Sequence, residues 1–303
     1  MDELLAKALV VVTGKGGVGK TTVAAALGLA AARRGLRTIL AEVAARDDLS
    51  RALGGSGAHE DELAGGLHHI SIDPQAAMEE YLGDQLPSRT MADLLASSSI
   101  FTYFAAATPG LRELLTVGKV WELAQDTRRT PGGRPYDLVV LDAPATGHGV
   151  AVLTAPRTVA ETARVGRIAR QARTIDEMLS DPARTGVVAV ARPEEMPVNE
   201  TLALERSLRE RVGLPVDLVV ANGLLPGRFT ASEERAVAGL DAGHAPVAAA
   251  LAAHARHRTQ QAQLARLRRR VAAPVVTLPF VFEPELGVQA LTALSRMLEG
   301  GAP

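Results

Sequence analysis

Apolar, β-branched runs alternate along this chain with stretches whose apolar residues recur at helical spacing. Continuous runs predict strands at residues 8–13, 38–42, 67–72, 138–142, 187–191, 218–221 and 274–278, because a strand covered on both faces reads as unbroken Val, Ile and Leu. Helical spacing predicts helices at 20–34, 199–212 and 285–298. This alternation implies an α/β fold, a doubly wound, mostly parallel sheet with crossover helices. Two stretches interrupt it. Residues 73–126 read as several helices and hold Tyr81, Phe101, Tyr103, Phe104 and Trp121, five of the nine aromatic residues. They predict an inserted helical layer whose apolar surface packs on the sheet. Residues 231–270 read as helical and polar, ending in RLRRR, a charge run that normally forms a solvated helix face.

Composition narrows the function classes. The chain has 303 residues, 47% hydrophobic and 22% charged, enough for a substantial core. A net charge of −1 gives no global pull toward nucleic acid or an acidic membrane. The absence of cysteine excludes disulfides, thiolate zinc sites and cysteine nucleophiles. Residues 94–111 are uncharged, but Ser97, Ser98, Ser99, Thr102, Thr108 and Pro109 argue against a membrane span. The opening MDELLAKALVVV runs straight into the first strand, so the expected location is the cytoplasm, without stable membrane insertion.

The chemistry concentrates in TGKGGVGKTT, residues 13–22. The continuously apolar first strand breaks there into glycines and enters an alanine-rich helix. That is the setting a phosphate-binding loop requires. Gly14, Gly16, Gly17 and Gly19 permit the curvature that turns backbone N–H groups onto phosphates at a helix N-terminus. Lys20 is placed to reach the β- and γ-phosphates, and the Thr21 hydroxyl to bind Mg²⁺. Only four of the 33 basic residues are lysines (Lys7, Lys15, Lys20 and Lys119), and half of them sit in this loop. A compact ammonium fits between phosphate oxygens where a planar guanidinium does not. Downstream, YDLVVLDAPATGHG carries an apolar strand ending in Asp142. An aspartate there either holds Mg²⁺ or caps the following turn; its distance from the loop favours the metal role. His254 and His257 stand at helical spacing, and without a third ligand they read as a solvated pair.

The loop with its extra lysine, together with DAPATGHG, resembles the deviant Walker A ATPases. Within them it is similar to the ArsA-type anion-transporting ATPases and the tail-anchored-protein targeting ATPases of the guided-entry pathway. The resemblance implies one P-loop ATPase domain over 1–303, with a helical subdomain within 73–126 and about 156–185. It implies ATP and Mg²⁺, nucleotide bound by residues 14–22 (Val18 and Thr22 included), and catalytic roles for Lys15, Lys20 and Glu42. Lys15 would cross a dimer interface to the partner's phosphates, as an arginine finger does elsewhere. Glu42 stands where the family's first switch carries an aspartate that orients the attacking water, with Asp47 and Asp48 as alternatives. Glu194 matches a residue that contacts nucleotide across the dimer, Asn222 one that reads the adenine edge, and Pro279, Phe280 and Val281 a segment packed on adenine. His148, in the second switch, reads as a conformational residue.

The departures matter equally. ArsA pumps fuse two ATPase halves and bind metalloid through cysteines, whereas this chain has one half and no cysteine. Arsenite is therefore not the expected substrate. The implied function is an ATPase that switches as a homodimer, or as a heterodimer with a paralogous ATPase, to capture or release a partner such as a hydrophobic protein segment. The alternatives are an ATP-gated module with little turnover and a MinD- or ParA-like positioning ATPase. A weakly basic C-terminal stretch and the net charge argue against membrane and nucleic acid for the last.

Overall fold

The computed structural model describes residues 1–43, 48–55, 60–78, 110–128, 133–144, 146–163, 165–240 and 244–300. Eight strands form one sheet: β1 (Leu9–Gly14), β2 (Thr38–Val43), β3 (Asp61–Ala64), β4 (Leu67–Ile72), β5 (Leu138–Asp142), β6 (Thr185–Ala191), β7 (Leu218–Leu224) and β8 (Val275–Pro279). Their spatial order is β3-β4-β2-β5-β1-β6-β7-β8, and every pairing is parallel except β3 with β4. The helices are α1 (Asp2–Leu5), α2 (Lys20–Arg33), α3 (Asp48–Leu53), α4 (Leu111–Leu123), α5 (Thr146–Ala163), α6 (Arg167–Leu179), α7 (Glu195–Arg211), α8 (Ala231–Ala238), α9 (Ala245–Arg270) and α10 (Val288–Leu298).

Strand alternation divides the core into two layers. Val10, Val12, Leu40 and Val140 face Leu27 of α2 and Leu291 and Leu294 of α10. Leu9, Val11, Val139 and Leu141 face Val120 of α4, Leu153 of α5, Ile175 of α6 and Leu208 of α7. Both faces are covered, as a doubly wound sheet requires. β1 lies between β5 and β6 with α2 and α7 on opposite faces, so the sheet changes winding direction beside its C-terminal end. Ligands of open α/β sheets bind in the crevice at such a point.

All seven predicted strands are present, with ends shifted by no more than three residues, the largest shift being the extension of β7 to Leu224. β3 was not predicted. Its sequence, DELA, is short and polar, and it pairs antiparallel at an edge, where one face meets water. The helix predicted at 199–212 begins earlier, at Glu195, because Pro197 falls in its first turn, where a missing N–H costs nothing. The predicted helical stretch 231–270 is two helices, α8 and α9. Of the predicted helical layer, residues 79–109, with Tyr81, Phe101, Tyr103 and Phe104, lie outside the described residues. Among its described residues, α4 packs Val117, Val120 and Leu123 into the core beneath β5. No described helix is long and apolar enough to cross a membrane.

Candidate functional site

β1 delivers the chain to the crevice at Gly14, and α2 leaves it at Lys20. Gly14 has φ +152° and Gly19 φ +91°. A β-carbon on Gly14 would overlap the Val190 carbonyl oxygen, and one on Gly19 the Asn222 amide nitrogen. Backbone freedom and missing volume are thus both used at these two positions. α2 starts with no side-chain cap and no acidic residue in its first turn. Its N-terminal N–H groups and positive dipole end are left for an external anion.

Around that N-terminus the side chains are ordered by charge. The Lys20 ammonium donates to the Lys15 carbonyl oxygen at 3.2 Å, so its side chain curls back across the loop mouth. The Thr21 hydroxyl donates to Asp142 Oδ2 at 2.6 Å. Thr21 and Asp142, 121 residues apart, therefore meet as an oxygen pair beside the loop. Hydroxyl and carboxylate oxygens are the donors Mg²⁺ takes when phosphates and water complete its shell. No cluster of three His, Cys, Asp or Glu occurs among the described residues. The donor set fits a metal that arrives with its nucleotide.

Glu42 is aligned with Asp142 in the β2–β5 register and is only 3% exposed. Its Oε2 lies 3.4 Å from the Leu49 N–H at the start of α3 and 3.4 Å from His69 Nε2. The carboxylate is thus beside the Thr21–Asp142 pair in the sheet but turned toward β4 and α3. Asp47 lies outside the described residues, as does the side chain of Asp48; the side chain of His148 is likewise outside them.

Lys15 projects from the loop to the neighbouring face, where its ammonium lies 2.9 Å from Glu200 Oε1 on α7. Each of these side chains is about a third exposed. Glu194 occupies the N-cap of α7 and pairs with Arg192 at 3.0 Å. Met196 stands exposed on the same helix. Lys15, Glu194, Met196 and Glu200 therefore share the rim of the crevice.

On the other side of α2 lies a cavity of about 280 Å³. Gly17, Gly19 and Thr22 form its phosphate-loop wall, and Asn222, Pro279, Phe280 and Val281 its far wall. Asn222 donates its amide N–H to the Val18 carbonyl oxygen at 2.9 Å, tying β7 to the loop. Phe280 and Phe282 meet edge to face at 4.8 Å between ring centres at the cavity mouth. The loop, the Thr21–Asp142 pair and the wall of Asn222, Pro279, Phe280 and Val281 thus come together in one crevice. Lys15 and Glu194 lie at its rim, and Glu42 beneath it.

Sequence reasoning did not single out Arg192 or Glu283, which also line this cavity, or Glu200. Arg192 and Glu200 lie close to Glu194 in sequence; the cavity wall distinguishes the first and the ion pair with Lys15 the second. His254 corrects the reading of the histidine pair as solvated: it is buried and lies 3.3 Å from Glu234, while the His257 ring bonds the Leu225 carbonyl oxygen at 2.8 Å.

A family model described as "Anion-transporting ATPase" matches residues 7–175 and 160–300. Among curated proteins, the chain is 30% identical over 227 residues to the ATPase BagA of Mycobacterium tuberculosis, covering 72% of this chain and 65% of that protein. It is 28% identical to an arsenical pump-driving ATPase of Escherichia coli (75% of this chain, 41% of that one). It is 26% identical to the ATPase GET3 of Kluyveromyces lactis (71% of each). The alignments thus span somewhat under two thirds of the mycobacterial relative and under half of the pump ATPase. With a phosphate loop seated at the winding reversal of a doubly wound sheet, and a family model matched along nearly its whole length, the chain belongs to the anion-transporting ATPase family.

Proposed function

We propose that this chain hydrolyses Mg·ATP and works as a nucleotide-switched dimer, coupling turnover to capture or release of a partner. The observation that carries the reading is the Thr21 hydroxyl on Asp142 at 2.6 Å, at the N-terminus of an uncapped helix crossed by Lys20. Backbone N–H groups of the loop would bind the phosphate oxygens, and Lys20 would neutralise charge that builds during γ-phosphoryl transfer. Thr21 and Asp142 would hold Mg²⁺, whose positive charge screens the phosphates when bound. Glu42 would orient the attacking water once α3 and His69 release its carboxylate.

Lys15 supports the dimer part. Its partly exposed ion pair with Glu200 is worth about 1 kcal/mol or less, so the ammonium can leave its own chain for a partner's phosphates at little cost. Exposed Met196 on the same rim gives that contact an apolar element. Exposed apolar groups also mark the turn between α5 and α6, where Val165 is 83% exposed and Ile168 45%. They favour a hydrophobic partner there.

Glu42→Gln should bind Mg·ATP near the wild-type affinity, lose turnover by at least about a hundredfold, and accumulate as a dimer in sedimentation velocity. Retained turnover would remove Glu42 from the chemistry. Its buried, engaged carboxylate also favours a second reading, a nucleotide-gated module that hardly turns over. Steady-state hydrolysis by the wild-type chain separates the two.

A further inference from the structure

The register of β7 against β8 slips between Ala221 and Leu224. Ala221 stands opposite Thr277 and Leu224 opposite Pro279, so three steps on β7 match two on β8. This is a bulge of one extra residue, Asn222 and Gly223 standing against Leu278 alone, with Gly223 at φ +77°. Bulges re-aim side chains and leave ladder groups without strand partners. Here the re-aimed side chain is Asn222, which reaches the Val18 carbonyl oxygen and lines the cavity beside the loop.

The displaced backbone groups are taken up from the long helix α9. Gln260, only 5% exposed, accepts from the Leu225 N–H at 2.8 Å and donates to the Gly223 carbonyl oxygen at 3.1 Å. One orientation of its amide satisfies both partners, and the reverse orientation satisfies neither. One turn earlier, the His257 Nδ1–H donates to the Leu225 carbonyl oxygen at 2.8 Å. From across the strand, the Phe280 N–H closes on the Leu224 carbonyl oxygen at 2.8 Å. Three consecutive peptide units are thus held by partners outside the regular ladder.

We infer that Gln260 is a positioning residue for nucleotide-base selection: by bracketing Gly223 and Leu225 it maintains the bulge that aims Asn222 into the cavity. The inference rests on the proposed base-side role of Asn222. Gln260 itself has no place in phosphate binding, because its two amide bonds run to the β7 backbone. Without its amide, a half-buried carbonyl and a half-buried N–H lose their partners, and the strand end must move to recover them.

The test compares full-length wild type, Gln260→Leu, Gln260→Glu and Asn222→Ala. Equilibrium binding of fluorescent ATP and GTP analogues with Mg²⁺ is read beside thermal melting. Gln260→Leu should weaken the ATP analogue by about tenfold and change the GTP analogue little, so the ATP-to-GTP preference collapses. Gln260→Glu keeps the acceptor for Leu225 but presents an oxygen to the Gly223 carbonyl. It should reduce the preference too, and it carries the test if the leucine variant fails to fold. Asn222→Ala should lower the preference comparably, and adding it to Gln260→Leu should lower it no further, since both act through one contact. If Asn222→Ala lowers the preference while both Gln260 variants leave it at the wild-type value, even with reduced melting temperatures, Gln260 only packs the helix and the inference is wrong. If Asn222→Ala leaves the preference unchanged, the base-side reading itself fails.

Discussion

At the residue scale, the site depends on positions where a single atom more or less is decisive. Gly19 combines a left-handed backbone with a missing β-carbon whose place the Asn222 amide takes. Gly19→Ala should therefore cost about 1–3 kcal/mol of backbone strain and separate Asn222 from Val18. Isothermal titration should show ATP affinity falling by more than about tenfold; unchanged affinity would mean the loop relaxes freely around an alanine. Lys15 works differently. Its contact with Glu200 is weak and partly exposed, so its importance cannot lie in holding the free chain together. The phosphate loop could be read from sequence because its chemistry is local. Glycines, lysine and threonine must follow one another to wrap a phosphate, so the pattern survives without any tertiary information. Glu200, His69 and Gln260 carried no such signal. Each acts on a residue far away in the chain, and taken alone each is an ordinary polar residue on a helix or strand.

At the element scale, the parallel strands were legible because burial on both faces leaves nothing but apolar residues. The β3–β4 edge was not, because one strand of that pair is polar and its support comes from charged side chains elsewhere. Arg128 bonds Glu60 and Glu122, and the Tyr136 hydroxyl donates to Glu60 at 2.9 Å. The Arg37 guanidinium lies over the Tyr136 ring, and His68 packs edge to face on it. Burial opposes ionisation of Glu60, but hydrogen bonds from Arg128 and Tyr136 outweigh it and hold the carboxyl below its usual value of 4.5. Burial, then the charge of Arg37, holds His68 below its usual 6.5. Burial and Glu60 together push the Tyr136 phenol up to about 12.

For both Glu60 and His68 the unfolded chain binds protons more readily than the folded one. Stability is therefore full above about pH 6.5 and falls with acidification, first through His68 and then, below about 4.5, through Glu60. Denaturant unfolding between pH 7 and 4 should show this loss. His68→Phe should flatten the limb nearest pH 6.5 and leave the more acidic one. A profile that stays flat to pH 4 in the wild type would contradict the assignment.

At the scale of the whole molecule, the sheet's winding reversal at β1 collects residues from five distant segments into one crevice. The loop contributes the proposed phosphate site, β5 the carboxylate proposed for Mg²⁺, β7 and β8 the wall proposed to face the base, and α7 the rim that carries Glu194 and Glu200. Lys15 is aimed at that rim, where it pairs with Glu200. The proposed dimer mechanism requires that Lys15 work in a neighbouring molecule. The direct measurement is hydrolysis by mixed variants. Lys15→Ala keeps its own phosphate site but lacks the lysine to lend, while Lys20→Ala has a dead site and an intact Lys15. Each alone should be inactive. Mixed in equal amounts, they should recover roughly a quarter of the wild-type rate, since half the dimers are mixed and each of those holds one competent site of two. A mixture as inactive as its components, with dimers present, would contradict a lysine acting in trans, and so would an active Lys15→Ala protein alone.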